Sequence, residues 1–88
     1  MSAFKLVFTE TAISDIDKLD PVVKKRIGKK IDYFRNLKEP LSGAEKLVSP
    51  RIGSYRWRVG DYRVVFDLSD ATIVVLRVRH RRDVYKSY

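Results

Sequence analysis

The stretch YRWRVGDYRV, residues 55–64, predicts a β-hairpin and, through it, the rest of the fold. Apolar residues alternate with charged ones on both sides of Gly60-Asp61, and a glycine in the first turn position suits a two-residue type II′ turn. A turn of this length fixes the strand register, because a slip of one residue moves every side chain to the other face. The predicted pairs are Val59–Tyr62, Arg58–Arg63, Trp57–Val64 and Arg56–Val65.

The two faces of this hairpin differ in chemistry, since paired residues and alternate residues share a face. The apolar face is predicted to seat the helices and consists of Tyr55, Trp57, Val59, Tyr62, Val64 and Phe66. The other face carries Arg56, Arg58 and Arg63, although like charges opposite each other destabilise a hairpin. We expect these arginines to hold an anion with several oxygens, such as a phosphodiester. Solvated arginines that splay apart are the alternative, and Asp67 is the only carboxylate expected on this face.

The N-terminal half predicts one strand and two helices. Residues 3–9 alternate like a strand, and Thr9 is placed to cap a helix over 10–19 whose apolar side is Ala12, Ile13, Ile16 and Leu19. Asp20-Pro21 predicts the start of a second helix, with a stripe of Val23, Ile27, Ile31 and Phe34. Gly28 in this helix is a candidate for close approach of another helix. The opposite face is basic and comprises Lys24, Lys25, Arg26, Lys29 and Lys30.

The remaining chain is predicted to form a sheet. A connection rich in proline and glycine contains a short edge strand at 45–48, and a meander of three strands follows at 54–59, 62–68 and 72–79. Residues 1–88 therefore predict a single α+β domain, in which two N-terminal helices pack on one face of a mostly antiparallel sheet of four to five strands.

Composition narrows the class of protein. Nineteen Lys and Arg against eleven Asp and Glu give a net charge of +8, which favours a polyanionic partner such as RNA. The chain has no cysteine, and neither a signal-peptide pattern nor a membrane-length apolar run is visible, so we expect a soluble, cytoplasmic protein. A single histidine and no cluster of His, Asp and Glu at ligand spacing predict neither a metal nor another cofactor.

The arginine face also suits one reaction. Attack by a ribose 2′-OH on its own 3′ phosphate forms a phosphorane with extra negative charge, which fixed arginines stabilise without a metal. His80 is the one histidine available for acid–base catalysis, or else a hydrogen-bonding or stacking residue. Tyr85 is a candidate for orienting the nucleophile or stacking on a base, the alternative being packing on the sheet rim.

The whole chain resembles a RelE-type toxin of the RelE/ParE superfamily of bacterial and archaeal toxin–antitoxin pairs. The resemblance is carried by the YRWRVGDYRVVF hairpin, the VVLRVRHRRDVY ending, and LVFTETAISDIDKL with the basic helix after it. The HRRDVY ending favours the RelE branch over the ParE branch. The resemblance implies an mRNA interferase, a ribosome-dependent endoribonuclease that cuts mRNA in the 30S A site and inhibits translation. Cleavage of this kind leaves 2′,3′-cyclic phosphate and 5′-OH ends.

The resemblance also assigns roles. Arg56 and Arg58 occupy the positions of two basic residues on the first hairpin strand, and Arg63 matches the arginine that holds the phosphate. Arg81 matches the arginine proposed to protonate the leaving oxygen, and Tyr85 the tyrosine near the nucleophile. Related toxins have a lysine as proposed general base where this chain has arginine, which stays protonated. Either His80 takes that role, or the site works mainly by charge stabilisation.

The resemblance further implies RNA contacts and a protein partner. The basic helix corresponds to surfaces that contact ribosomal RNA, and the basic ending adds Arg77, Arg79 and Arg82. A cognate antitoxin is expected to wrap the toxin in a heterotetramer or larger complex. Two alternatives stay open, namely a ParE-like inhibitor of DNA gyrase and a non-catalytic module that binds RNA or the ribosome.

Overall fold

The protein is described by a computed structural model that covers residues 4–47 and 53–82. The helices and strands of these residues are β1 (Lys5–Phe8), α1 (Glu10–Asp17), α2 (Pro21–Arg35), β2 (Ala44–Lys46), β3 (Tyr55–Val59), β4 (Tyr62–Ser69) and β5 (Thr72–His80). A short 3-10 helix, Pro40–Gly43, precedes β2. None of the helices in the described ranges is long and apolar enough to cross a membrane.

The strands form one sheet in the order β1-β5-β4-β3-β2. The first strand runs parallel to β5, and the other three neighbouring pairs are antiparallel. Apolar residues of both helices join those of β3, β4 and β5 in one buried cluster. The predicted α+β fold, with two helices against one face of a mostly antiparallel sheet, is therefore confirmed.

The β3–β4 hairpin has the predicted turn and register. Within the turn Gly60 has a positive φ of 59°, whereas Asp61 does not, which is the pattern of a type II′ turn. All four predicted residue pairs of this hairpin form, together with Tyr55 opposite Phe66. The faces that the sequence assigned to the arginines and to the core are thus correct.

An aromatic stack holds β3 against the helices. The fully buried Trp57 ring lies between those of Phe34 in α2 and Phe66 in β4, with centroid distances of 5.0 and 4.0 Å. Its Nε1 donates to the carbonyl oxygen of Pro40 at 3.2 Å. One side chain therefore packs or bonds to α2, to β4 and to the connection before β2, and it fixes the strand that carries the first two arginines.

The two helix starts agree with the sequence only in part. The Thr9 hydroxyl accepts from the Ala12 amide at 3.1 Å, as an N-cap does, and donates to the Leu76 carbonyl of β5 at 3.1 Å. Asp20 stands at the N-cap of α2 before Pro21, but its side chain makes no capping hydrogen bond. The fixed φ of proline suits the first helical position, where its missing amide leaves no donor unpaired, so the helix begins at Pro21 without a capping bond from the carboxylate.

Two expectations about the helices are wrong. Ile13 was expected on the apolar side of α1, yet it is 49% exposed, because the short helix directs only Ala12 fully into the core. Gly28 was expected to permit close helix approach, yet a Cβ built there would meet nothing within 4 Å. Its position opens onto a groove that Leu6 of β1 and Ile16 of α1 also line, so no helix packs closely against it.

Candidate active site

Three arginines form a straight row across three strands. Arg58 of β3 lies opposite Arg63 of β4, and Arg63 lies opposite Arg79 of β5, so the three share one face of the sheet. The neighbouring residues Val64 and Val78 point the other way into the core. We call Arg58, Arg63 and Arg79 the arginine row, and it lies on the face away from the helices.

A β-bulge brings Arg79 into the row. Phe66 pairs with Val75, whereas Val65 pairs with Arg77, so Leu76 is one extra residue in β5. Without this residue, the register from Phe66 onward would place Val78 rather than Arg79 opposite Arg63. The sequence predicted an uninterrupted strand at 72–79, and that prediction missed the bulge.

Arg63 is buried in the middle of the row, although the sequence predicted that it projects outward with its neighbours. Arg63 is only 3% exposed, and its Nη1 donates to the carbonyl oxygens of Gly60 and Tyr62, both at 3.0 Å. The partial negative charge of these two carbonyl oxygens holds the guanidinium beside the turn. Its Nε is buried and has no hydrogen-bond partner in the described residues.

One carboxylate that the sequence did not predict lies beside the arginine row. Glu45 of β2 pairs with Arg56 in the sheet register, and its Oε2 lies 3.4 Å from Nη2 of Arg56. Its Oε1 lies 3.6 Å from Nε of Arg58. Asp67, the carboxylate expected on this face, instead accepts from the Ser54 amide at 2.8 Å. The short edge strand therefore brings an acid to the first two arginines.

The end of β5 places Arg81 next to the hairpin turn. The Arg81 amide donates to the Asp61 carbonyl at 2.7 Å, which extends the β4–β5 pairing by one step past Tyr62 and His80. Arg81 and Arg82 are both exposed. The backbone therefore places Arg81 beside the hairpin turn, two residues after Arg79 of the arginine row.

His80 lies on the other face of the sheet. It pairs with Tyr62, whose ring it meets edge-on with centroids 5.3 Å apart, and its Nδ1 accepts from the Arg82 amide at 3.3 Å. The structure does not bring His80 together with Arg58 and Arg63. Tyr85, predicted to orient the nucleophile or to stack on a base, lies outside the described residues.

Arg77 contacts a helix rather than open solvent. Its Nε and Nη2 donate to the Asp15 carboxylate of α1 at 2.9 and 3.3 Å, and the same carboxylate accepts from the Val78 amide at 3.0 Å. Asp15 thereby covers the edge of β5 that β1 leaves unpaired. The arginine predicted to bind RNA at this position is held in an internal ion pair.

The basic helix presents its charges to solvent as predicted. Its five cationic residues, Lys24, Lys25, Arg26, Lys29 and Lys30, are exposed. Arg26 also reaches the hairpin, because a Cβ on Gly60 would lie 3.5 Å from its Nη2. The basic surface of α2 thus continues to the turn that holds Arg63. Within residues 4–47 and 53–82, no three His, Asp or Glu side chains gather where they could hold a metal ion.

Comparisons with known proteins agree with this geometry. A family model described as the ParE toxin of the type II toxin–antitoxin system parDE matches residues 6–85. Toxin RelG of Mycobacterium tuberculosis is 35% identical over 83 residues, which cover 90% of this chain and 92% of that protein. Toxin RelE3 of Methanocaldococcus jannaschii is 30% identical over 83 residues, covering 92% and 94%.

The fold comparison leads to the same group of proteins. The structure superposes on a chain of the toxin–antitoxin complex RelBE2 from M. tuberculosis with a TM-score of 0.69 and 31% identity, over 89% of this chain and 98% of that one. The resemblance seen in the hairpin and in the basic ending is confirmed. The chain belongs to the RelE/ParE superfamily and is the toxin of a type II toxin–antitoxin system.

Proposed function

We propose that this toxin is a ribosome-dependent endoribonuclease that cuts mRNA in the 30S A site by attack of a ribose 2′-OH on the adjacent phosphate. The arginine row carries the proposal, because it places three cationic side chains in direct cross-strand register on one face of the sheet, with Arg58 exposed and Arg63 buried at its centre. A surface that only stabilised the fold would gain nothing from like charges placed opposite each other. The arrangement fits a bound phosphodiester.

The row favours the transition state over the ground state. A phosphodiester has one negative charge, and the five-coordinate phosphorane formed from it has two. Donors that are already in place stabilise this added charge without reorganising, and one such donor contributes about 10²–10³-fold to the rate. The two carbonyl bonds hold Arg63 in a fixed orientation, which is the property that such catalysis needs. The reaction as proposed requires no metal ion.

Glu45 is the side chain that we assign as general base. Arg58 stays protonated and cannot accept the proton of the 2′-OH. The Glu45 carboxylate lies against both Arg56 and Arg58, at 3.4 and 3.6 Å, and its side chain is 44% exposed. It can take the proton while the 2′ oxygen forms its bond to phosphorus and the bond to the 5′ oxygen breaks. The 5′ oxygen leaves as an alkoxide and takes a proton from water, and Glu45 then returns its proton to solvent. The products are a 2′,3′-cyclic phosphate and a 5′-OH end.

Arg81 is the cation that we assign to the leaving 5′ oxygen. Its backbone follows Arg79 by two residues at the β5 end of the row, whereas Glu45 lies on β2 beyond the β3 end. A guanidinium there stabilises the negative charge that develops on the leaving oxygen. Tyr85 as a residue near the nucleophile rests on the family resemblance alone.

The proposed partners follow from charge and from the relatives. The exposed cations of α2 suit a phosphate backbone, and their continuity with the hairpin through Arg26 lets one RNA surface contact both. The M. tuberculosis structure that this chain resembles is a toxin–antitoxin complex. We therefore propose a cognate antitoxin as the protein partner, and the ribosome in the cytoplasm as the place of action.

The test is to add the protein, made by cell-free synthesis, to a translating extract and to map new mRNA ends by primer extension. We expect ends inside A-site codons with wild type and with Arg35→Ala, an arginine at the end of α2 away from the row. Arg63→Ala should give none. Intact mRNA with the wild type contradicts the proposal, and gyrase inhibition in a supercoiling assay would then assign the ParE-type activity. Binding to ribosomes without cleavage would identify a non-catalytic module.

A further inference from the structure

A concave site lies at the edge of β5 next to Arg79, the last member of the arginine row. It opens between α1 and the end of β5 and has a volume of about 300 Å³. We call it the β5 pocket; its principal lining residues are Asp15, Lys18, Leu19, Tyr62, Arg79 and His80. The proposed cleavage reaction uses none of them except Arg79, so the pocket has no assigned role.

The pocket exists because of how the edge of β5 is covered. β1 pairs with β5 only as far as Phe8 and Val75, after which the chain turns into α1. Asp15 then fills part of the open edge by accepting from the Val78 amide and from Arg77. The edge beyond this ion pair stays uncovered by α1, and the pocket lies there.

The lining suits a nucleotide. Tyr62 and His80 meet edge-on with their ring planes at 78°, so they form two sides of a corner rather than a closed stack. A flat base can lie against either ring, as unpaired RNA bases do against aromatic side chains. Leu19 adds an apolar wall, and the exposed Lys18 supplies a cation at the rim for a phosphate. The volume lies at the lower end of the range for small-ligand sites, about 300–1,000 Å³, which suits one nucleotide.

Arg79 connects this pocket with the arginine row. It stands opposite Arg63 in the register and also lines the β5 pocket. An RNA strand whose scissile phosphate lies on the row can therefore pass Arg79 and leave its next unpaired nucleotide in the pocket. We propose that the β5 pocket is a nucleotide-binding subsite that holds an unpaired RNA base beside the scissile phosphate, with His80 as a stacking residue. This inference rests on the proposed function, and it gives His80 a role in substrate recognition instead of proton transfer.

Direct binding tests the subsite without ribosome or cleavage. The isotope-labelled full chain is titrated with AMP, GMP, CMP and UMP, and separately with inorganic phosphate, while amide resonances are followed by NMR. Nucleotides should shift the amides of Leu19, Val78 and His80, and phosphate alone should not. His80→Ala should weaken nucleotide binding roughly 5- to 150-fold, the range for loss of one base–aromatic stack. Lys38→Ala, an exposed lysine elsewhere, should leave it unchanged.

Kinetics on programmed ribosomes separate stacking from proton transfer. His80→Ala and Lys18→Gln should raise KM with little change in kcat, and His80→Phe, which retains an aromatic ring, should restore the wild-type KM. A large loss of kcat in both His80→Ala and His80→Phe would overturn the stacking role. Nucleotides that shift only the amides near Arg58 and Arg63 would overturn the pocket itself. Shifts in the pocket of a protein that does not cleave mRNA would instead refute the proposed reaction and leave the subsite standing.

Discussion

Replacing Glu45 by glutamine tests the proposed chemistry with little disturbance of the fold. The amide has the shape of the carboxylate and keeps an oxygen toward Arg56, but it cannot take a proton from the 2′-OH. Both ion pairs of Glu45 are long, at 3.4 and 3.6 Å, and its side chain is 44% exposed. Such solvent-screened pairs contribute about 0–1 kcal/mol, so we expect the free energy of unfolding to fall by no more than that.

The effect on the rate should be much larger. Loss of a general base costs about 10²–10⁴-fold, which corresponds to roughly 3–5 kcal/mol in the activation barrier. Single-turnover cleavage on ribosomes programmed with a defined A-site codon measures this rate, and thermal unfolding measures the stability. Glu39→Gln is the matched control, because Glu39 is exposed and its side chain makes no capping bond. If Glu45 is the general base, Glu45→Gln should cleave at least about 10²-fold more slowly than the wild type. Cleavage within about twofold of the wild-type rate would refute the assignment of Glu45 as the base.

Four further substitutions have expected outcomes. Trp57→Ala should lower the free energy of unfolding by about 3–5 kcal/mol in a denaturant titration, because the buried stack loses its central ring; an unchanged midpoint would contradict this. Gly28→Ala should stabilise the protein by up to about 1 kcal/mol, because a Cβ there meets no other atom and alanine favours the helix. Gly53→Ala should destabilise it by about 1–3 kcal/mol, since its Cβ would lie 2.5 Å from Val65 Cγ1. A lower melting temperature for Gly28→Ala than for Gly53→Ala would contradict the packing described at these two glycines. Arg81→Ala should abolish cleavage of normal mRNA. Cleavage by this variant should recover on mRNA in which sulfur replaces the bridging 5′ oxygen, because a thiolate leaves without a stabilising cation. Failure to recover would contradict the role of Arg81 at the leaving oxygen.

The hairpin could be predicted because its information is local. A glycine at the turn and strict alternation on both sides determine register and faces, and the structure reproduces each predicted pair around Arg58 and Arg63. The apolar stripe of α2 was equally readable, since Ile27, Ile31 and Phe34 recur at helical spacing and are buried.

The missed features depend on contacts that no periodicity encodes. Glu45 meets Arg56 only because a connection with a 3-10 helix returns the chain to the edge of β3. The bulge at Leu76 is a one-residue insertion in an apolar run, where alternation is too weak to show it. Arg63 was expected to be exposed because arginines usually are, and its burial follows from two turn carbonyls that became visible only in three dimensions.

In the proposed reaction, the arginine row holds the phosphate at which mRNA is cut. The most direct measurement is the single-turnover cleavage rate of Arg63→Ala against Arg35→Ala on programmed ribosomes, with thermal unfolding of both variants as the check on folding. We expect the cleavage rate to fall about 10²–10³-fold for Arg63→Ala and to stay at the wild-type value for Arg35→Ala. Equal rates for the two folded variants would contradict it.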